Sequence, residues 1–256
     1  MKTFPLPLSF SDPAVSLTAF LPEGQALPAV IVLPGGGYHL SAPGEGAPVA
    51  ERFAGMGYAA FLLKYSTLAD GAGHTVFPEP LLQLAAAMRY VRTHSAELTL
   101  DPERIALFGA SAGGHLAGNY CNYWNTPLLC PDPASAELQR PNACVLLYGA
   151  TAPSTGNMML EPIFGHASPY TPEELDRYTV KQHLGQQTPP MILFHSAPDP
   201  MVPVSQSIEL HSALLNAGIP AELHVFATGG HAYGLGTGTP AEIWPALADR
   251  FLQNIL

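Results

Sequence analysis

Short, uninterrupted apolar runs alternate along the chain with longer stretches whose apolar positions recur every three or four residues. Ala29-Val30-Ile31-Val32-Leu33 has no polar member, the pattern of a strand covered on both faces. Ala59 to Lys64, Ile105 to Phe108, Cys144 to Tyr148, Met191 to His195 and Leu223 to Phe226 read as further strands. Val15, Leu17, Ala19 and Leu21 alternate with more polar neighbours and predict an early edge strand. Helical spacing predicts helices over Pro48 to Met56, closed by Gly57, and over about Glu79 to Ser95, where Leu81, Leu84, Ala85, Met88 and Val91 share a stripe. Another helix carries His115, Leu116 and Ala117. Residues 203–217 form one more, stopped by Gly218. Ala241 to Leu256 closes the chain as a helix with Pro245 in its first turns.

This alternation of strand and helix predicts an α/β fold: a mostly parallel central sheet of about eight strands, with helices on both faces. No repeat, charge block or linker interrupts it, so residues 1–256 read as one domain. Residues 151–190 are the least regular and are expected to form an irregular cover over the C-terminal edge of the sheet.

Composition narrows the chemistry. Of 256 residues, 47% are hydrophobic, enough for a large core, and 24 Gly with 27 Pro stay below a low-complexity share. The net charge of −10 argues against a nucleic-acid partner, which needs a basic face. No apolar run reaches the roughly 18–20 residues of a membrane span. The Pro-broken start Met1-Lys2-Thr3-Phe4-Pro5-Leu6-Pro7 has no sustained apolar core of a secretory signal, so a cytoplasmic setting is expected. Cys121, Cys130 and Cys144 lack metal or redox spacing and read as reduced, packed thiols. Histidines 39, 74, 94, 115, 166, 183, 195, 211 and 224 show no metal-binding spacing, so neither metal nor other cofactor is expected.

Gly109-Ala110-Ser111-Ala112-Gly113 fits G-x-S-x-G between a strand and a helix, the context of a nucleophilic serine on a sharp turn. The two glycines leave room for neighbouring backbone, and the turn sets the Ala112 N–H at a helix N-terminus, where an anion is favoured. Leu33-Pro34-Gly35-Gly36-Gly37-Tyr38 follows an early buried strand. Its glycines allow amides to face a cavity, and Gly36 and Gly37, completed by Ala112, are the candidate oxyanion donors. A dinucleotide site is excluded because no G-x-G-x-x-G opens a helix here.

A serine on such an elbow takes its partners in the order Ser, Asp or Glu, His. His231, the last histidine, lies in Gly229-Gly230-His231-Ala232-Tyr233-Gly234 after the final strand. Asp199, 32 residues earlier, follows the Met191 to His195 strand. Glu173, Glu174 and Asp176 fall in a polar helical stretch, and Glu209 and Glu222 in or beside regular elements, so they fit the acid less well. Asp199 would accept the Nδ1–H of His231 and fix its tautomer. His115, one turn beyond Ser111, is expected as packing beneath the site, and Glu45 as a solvated loop carboxylate, with substrate or loop anchoring as its alternative. Tyr38, His39 and Tyr233 are candidate substrate contacts, and Tyr170 a candidate pocket wall.

Taken together, these segments resemble the α/β-hydrolase superfamily, and within it the bacterial acetyl-esterase branch of acetyl-xylan and bifunctional feruloyl/acetyl esterases. The resemblance rests on Pro34 to Tyr38, Glu45, Val49-Ala50 to Gly57-Tyr58, Lys64-Tyr65-Ser66 and Asp101-Pro102. It continues through Gly109 to Ala117, Pro189-Pro190, Asp199 with Val202-Pro203, and Gly230-His231. It covers about residue 28 to the C-terminus. It implies a Ser111, Asp199, His231 triad, Gly37 and Ala112 as main oxyanion donors, and ester hydrolysis without a cofactor. Pro34 stands where the wider lipase group has His, as is usual in this branch. The substrate so implied is a small ester, an acetylated sugar or oligosaccharide foremost, since intact xylan suits exported enzymes. Two other readings use the same residues: a serine exopeptidase of prolyl-oligopeptidase type, and a non-catalytic binding protein.

Overall fold

The computed structural model describes residues 1–8, 10, 12–70, 76–153, 158–166 and 168–256. Its eight strands are β1 (Lys2–Pro5), β2 (Ser16–Leu21), β3 (Leu27–Leu33), β4 (Ala59–Lys64), β5 (Leu100–Ala110), β6 (Ala143–Leu147), β7 (Met191–Ser196) and β8 (Ala221–Phe226). They form one sheet in the order β1-β2-β4-β3-β5-β6-β7-β8. The run from β4 to β8 is parallel, and β2 and β1 are added antiparallel at one side.

The two-sided burial of β3 explains its lack of polar residues. Ala29, Ile31 and Leu33 face a core shared with α2 (Glu79–Thr93), α3 (Ala112–Tyr123) and α6 (Ser205–Asn216). Val30 and Val32 face the other core, closed by α1 (Ala47–Gly55) and α7 (Trp244–Ile255), with Trp244 at its centre. Burying a Val or Ile side chain is worth about 1.5–3 kcal/mol, and a polar residue in this strand would sit in an apolar core on either face.

The expected edge strand at Val15 to Leu21 is not the edge. β1 pairs outside it, Lys2 opposite Leu21 and Pro5 opposite Thr18. Prolines near the start obscured β1, yet an edge strand tolerates a residue without an N–H. β5 starts earlier than its apolar run, because Asp101 to Arg104 extend it with partly exposed positions and Leu100 pairs with Leu27. The closing helix starts later, since a 3-10 turn over Pro240–Ile243, capped by the Thr239 side chain, precedes it.

The irregular stretch 151–190 contains two short helices, α4 (Leu160–Phe164) and α5 (Pro172–Arg177). α5 opens on a reciprocal capping box between Thr171 and Glu174. Residues 154–157 and 167 of this stretch lie outside the described residues. It returns to the body where Val180 N–H donates to Thr151 O at 2.9 Å and Asn122 Nδ2 to Val180 O at 2.9 Å. Among the described residues, no helix is long and apolar enough to cross a membrane.

Candidate active site

The functional side chains gather at the C-terminal ends of the parallel strands, where open α/β sheets leave a crevice. Ser111 turns the chain from β5 into α3 with φ 51° and ψ −116°, a conformation that L residues rarely adopt. Its surroundings enforce it. Ser111 N–H donates to Leu147 O at 3.0 Å, and Ser111 O accepts from Ala150 and His115 N–H, both at 3.1 Å. Glycine is needed on both sides: a Cβ on Gly109 would lie 2.2 Å from Gly113 O, and one on Gly113 2.0 Å from Leu33 O.

His231 reaches this serine from the loop after β8. Its Nε2 is 2.9 Å from Ser111 Oγ, and its Nδ1 is 2.7 Å from Asp199 Oδ2. A carboxylate only accepts, so Nδ1 carries the proton and Nε2 is free to accept from the serine hydroxyl. Asp199 follows β7 with its side chain inaccessible to solvent. Its Oδ1 accepts the amides of Met201 (2.8 Å) and Val202 (2.9 Å). Burial pushes its pKa up, but hydrogen bonds from His195, His231 and these amides outweigh burial and hold the carboxyl well below the usual carboxylate range.

His195 is a partner that sequence reasoning missed. Fully buried at the end of β7, it sets Nε2 3.2 Å from Asp199 Oδ2 and 2.9 Å from Val202 O, with Nδ1 2.7 Å from Ser207 Oγ. Both neighbours of Nε2 are acceptors, so this nitrogen donates. Its single N–H is shared between Val202 O and Asp199 Oδ2, so Oδ2 faces the N–H groups of two imidazoles. The signal available was its place four residues before Asp199, at the end of a buried strand.

The glycine loop after β3 folds back on itself. Ala42 N–H donates to Gly35 O, and His39 and Leu40 N–H donate to Gly36 O. Gly36 and Gly37 have φ 120° and 63°, which a side chain would oppose. The amides of Gly36, Gly37 and Ala112 have no protein acceptor among the described residues. Gly36, Gly37 and Ser111 line one cavity of about 410 Å³. It is a volume suited to a small molecule.

Glu45 departs from the expectation of a solvated loop acid. It is 2% exposed, on the 3-10 turn Pro43–Glu45, and lines the cavity. Its Oε2 accepts Gly35 N–H at 2.7 Å and its Oε1 the Tyr148 hydroxyl at 2.8 Å. Burial raises its pKa, and those two hydrogen bonds and the facing His231 offset part of the rise. Tyr148, also missed, packs its ring at a tilt, 4.8 Å from that of His231.

Of the candidate substrate contacts, only His39 lines the cavity. Its Nε2 lies 2.9 Å from Met158 O and ties the glycine loop to the 151–190 stretch. Tyr38 is fully buried instead: its hydroxyl meets Ala112 O at 3.0 Å and His115 Nδ1 at 2.8 Å, and its ring packs edge-on to Phe77. An aromatic after three glycines at φ 62° is turned into the core, which the sequence did not reveal. Tyr233 packs against Tyr148 rather than lining the cavity, and Tyr170 packs at a tilt against His166, outside the cavity lining.

His115 is packing, as expected, with Nε2 on Tyr178 O and burial lowering its pKa to about 3. The apolar wall comes from Met158, Met159, Met201, Val202 and Leu40. Among the described residues, no group of three His, Cys, Asp or Glu side chains is arranged to hold a metal ion. His74 lies outside the described residues.

Comparison with known proteins divides the chain between two family models: BD-FAE over residues 18–126 and the prolyl oligopeptidase family over residues 135–256. Acetylxylan esterase of Xylanibacter ruminicola is 28% identical over 99% of this chain and 49% of its own length. Endo-1,4-beta-xylanase B of Butyrivibrio fibrisolvens is 29% identical over 79% of this chain and 32% of its own. The chain thus spans a third to a half of these curated relatives. An acetyl ester-xyloside bifunctional hydrolase from Caldicellulosiruptor lactoaceticus superimposes with TM-score 0.84 at 29% identity, covering 99% of this chain and 96% of that one. A Lactobacillus plantarum structure assigned as a carboxylesterase is 32% identical, with TM-score 0.80 and 99% and 98% coverage.

Proposed function

The chain belongs to the α/β-hydrolase superfamily, and from that premise we propose that it is a serine ester hydrolase acting on short acyl esters, acetyl esters foremost. The observation that carries this reading is the continuous relay from Ser111 Oγ through His231 to Asp199, at 2.9 and 2.7 Å. In the reaction, His231 Nε2 takes the proton as Ser111 Oγ attacks the ester carbonyl. The amides of Gly36, Gly37 and Ala112 hold the oxyanion, each donor worth about 3–4 kcal/mol in the transition state. Nε2 then protonates the departing alcohol. Water, activated by the same nitrogen, clears the acyl-enzyme and returns Ser111 to the hydroxyl form. Asp199, ionised far below neutrality, keeps the imidazole in the required tautomer throughout.

The substrate we favour is an acetylated sugar or oligosaccharide, a reading supported by relatives named for acetylxylan and acetyl-xyloside. The three cysteines are buried thiols, in accord with a cytoplasmic setting. One sheet shared by both cores supports a single domain.

A second reading, a serine exopeptidase, is favoured by the prolyl oligopeptidase match over residues 135–256. Such an enzyme needs a free acid to anchor a peptide amine. Among the described residues, the one carboxylate lining this cavity, Glu45, is already engaged by Gly35 and Tyr148. Parallel assays on an acetyl ester and an aminoacyl amide separate the two. Titration with a serine-reactive phosphonate tests both against a non-catalytic binder: one covalent adduct on Ser111 is expected, and none on native protein would overturn the catalytic reading.

A further inference from the structure

Three loops meet at one buried acid. Gly35 N–H, at the root of the glycine loop, donates to Glu45 Oε2 at 2.7 Å. Tyr148, at the end of β6, donates to Oε1 at 2.8 Å. The same hydroxyl accepts Gly234 N–H, from the loop that carries His231, at 3.1 Å. That loop also presses on the turn bearing Glu45: a Cβ on Gly234 would lie 2.9 Å from Gly44 O. At Gly35 the fit is equally close, since a Cβ there would lie 2.5 Å from Glu45 Oε2 and 2.7 Å from Ser111 Cβ. We propose that Glu45 is a positioning residue for the reaction, one that fixes the oxyanion loop through Gly35 and, through Tyr148, the loop of His231. The proposal rests on the ester-hydrolase reading above.

The chemistry of the two partners explains why the residue is an acid. Gly35 N–H and Tyr148 O–H are both donors, and a carboxylate presents two acceptors to them. A glutamine presents one acceptor and one NH₂, so one of the two partners would face a donor. The titratable groups around Glu45 are Tyr148 at the end of β6, His231 on the loop after β8, and Tyr65 after β4. Among the described residues, no Lys or Arg lines the cavity beside it. A buried, ionised acid without a cationic partner costs stability. Burial raises the pKa of Glu45 above its ordinary value, so its stabilising contribution is complete below the ordinary value and is lost as pH rises through the raised one. A role confined to folding is poorly served by a group that favours the fold most when protonated. Orientation of two catalytic loops accounts for its presence.

The test is steady-state kinetics of Glu45→Gln and Tyr148→Phe on p-nitrophenyl acetate from pH 5 to 9, with Ser111→Ala made alongside and thermal unfolding measured on each. For Glu45→Gln, kcat is expected to fall about 10²-fold or more, the scale of losing an oxyanion donor, with KM little changed. Wild type gains stability relative to Glu45→Gln as pH falls through the raised pKa of Glu45 toward its ordinary value. Tyr148→Phe, which keeps the ring and Glu45, is expected to lose about tenfold in kcat, one hydrogen bond's worth, and carries the test if Glu45→Gln does not fold. Wild-type kcat in the folded variants, with Ser111→Ala inactive, would overturn this proposal and leave the ester-hydrolase reading intact. Full turnover in Ser111→Ala would instead remove the reading on which it stands.

Discussion

Replacing His195 with phenylalanine puts a slightly larger, apolar ring in a fully buried position and deletes three polar contacts. Ser207 Oγ loses its partner at 2.7 Å, Val202 O its donor at 2.9 Å, and Asp199 Oδ2 one of its two imidazole N–H groups, at 3.2 Å. A hydrogen bond to a charged group is worth about 1.5–3 kcal/mol, and the 3.2 Å length places this one at the low end. Asp199 keeps three donors, the His231 ring and the Met201 and Val202 amides. Because its pKa starts far below 3.8, it stays ionised at neutral pH after the loss. Catalysis therefore falls by the freedom that Asp199 gains and not by loss of its charge. The expected drop in kcat/KM is about tenfold, equivalent to ~1.4 kcal/mol, against about 10⁴-fold for Asp199→Asn, which supports the wrong tautomer.

The assay is p-nitrophenyl acetate hydrolysis at neutral pH, paired with urea unfolding between pH 3 and 7. On the stability side, removing a donor lets the Asp199 pKa rise toward its ordinary value. The stability that ionised Asp199 contributes is then smaller, so the gap between wild type and His195→Phe narrows as pH falls below 3.8. His195→Gln, whose amide can still donate, should recover part of both effects. Full activity and a stability gap that does not narrow below pH 3.8 in His195→Phe would refute the claim that this ring supports Asp199. A loss as deep as that of Asp199→Asn would show that it does more than support it.

Ser111→Ala and, separately, His231→Ala should each leave a folded protein with kcat reduced about 10⁴-fold or more, as for members of one catalytic unit; near-normal turnover would discard the mechanism. The lowered Asp199 pKa makes the stability gap between wild type and Asp199→Asn flat from pH 8 to 5, closing only as pH falls below 3.8 toward the depressed value; urea midpoints across that range check it. With about 410 Å³ to hold both halves of an ester, kcat/KM on p-nitrophenyl esters should peak at acetate or propionate and drop steeply by octanoate; an optimum at octanoate would contradict the short-acyl assignment. Overnight dialysis against EDTA should leave activity unchanged, and loss reversed by a divalent ion would contradict a metal-free mechanism.

The segments legible in the sequence are those whose physics is local. A strand buried on both faces has no polar residue, so β3 declared itself in Ala29 to Leu33. A serine on a strained turn needs glycine at both flanks, so Gly109 and Gly113 mark Ser111, whose φ is 51°. Chain order among the last loops led to Asp199 and His231. The C-terminal ends of parallel strands bring such loops together whatever their intervening sequence. What sequence reading missed depends on contacts across large separations. Glu45 lies 103 residues from Tyr148, and only the packed sheet brings them within 2.8 Å and shields both from water. His195 looked like one more strand residue until the β7 loop curled Asp199 back over it. Tyr38 looked like a pocket residue because it borders the glycines, but side-chain direction after a left-handed turn is set by the space available in the core. Met158 and Met159 were hidden in an irregular stretch read for its polar residues, and their place over the cavity is fixed in part by a hydrogen bond from His39 to Met158 O. Periodicity, turn chemistry and chain order thus determined the sheet and the relay, since each acts over a few residues or follows from topology. Tertiary packing decided which acid is buried, which ring supports it and what lines the cavity, because burial and the pairing of polar groups are properties of the assembled core.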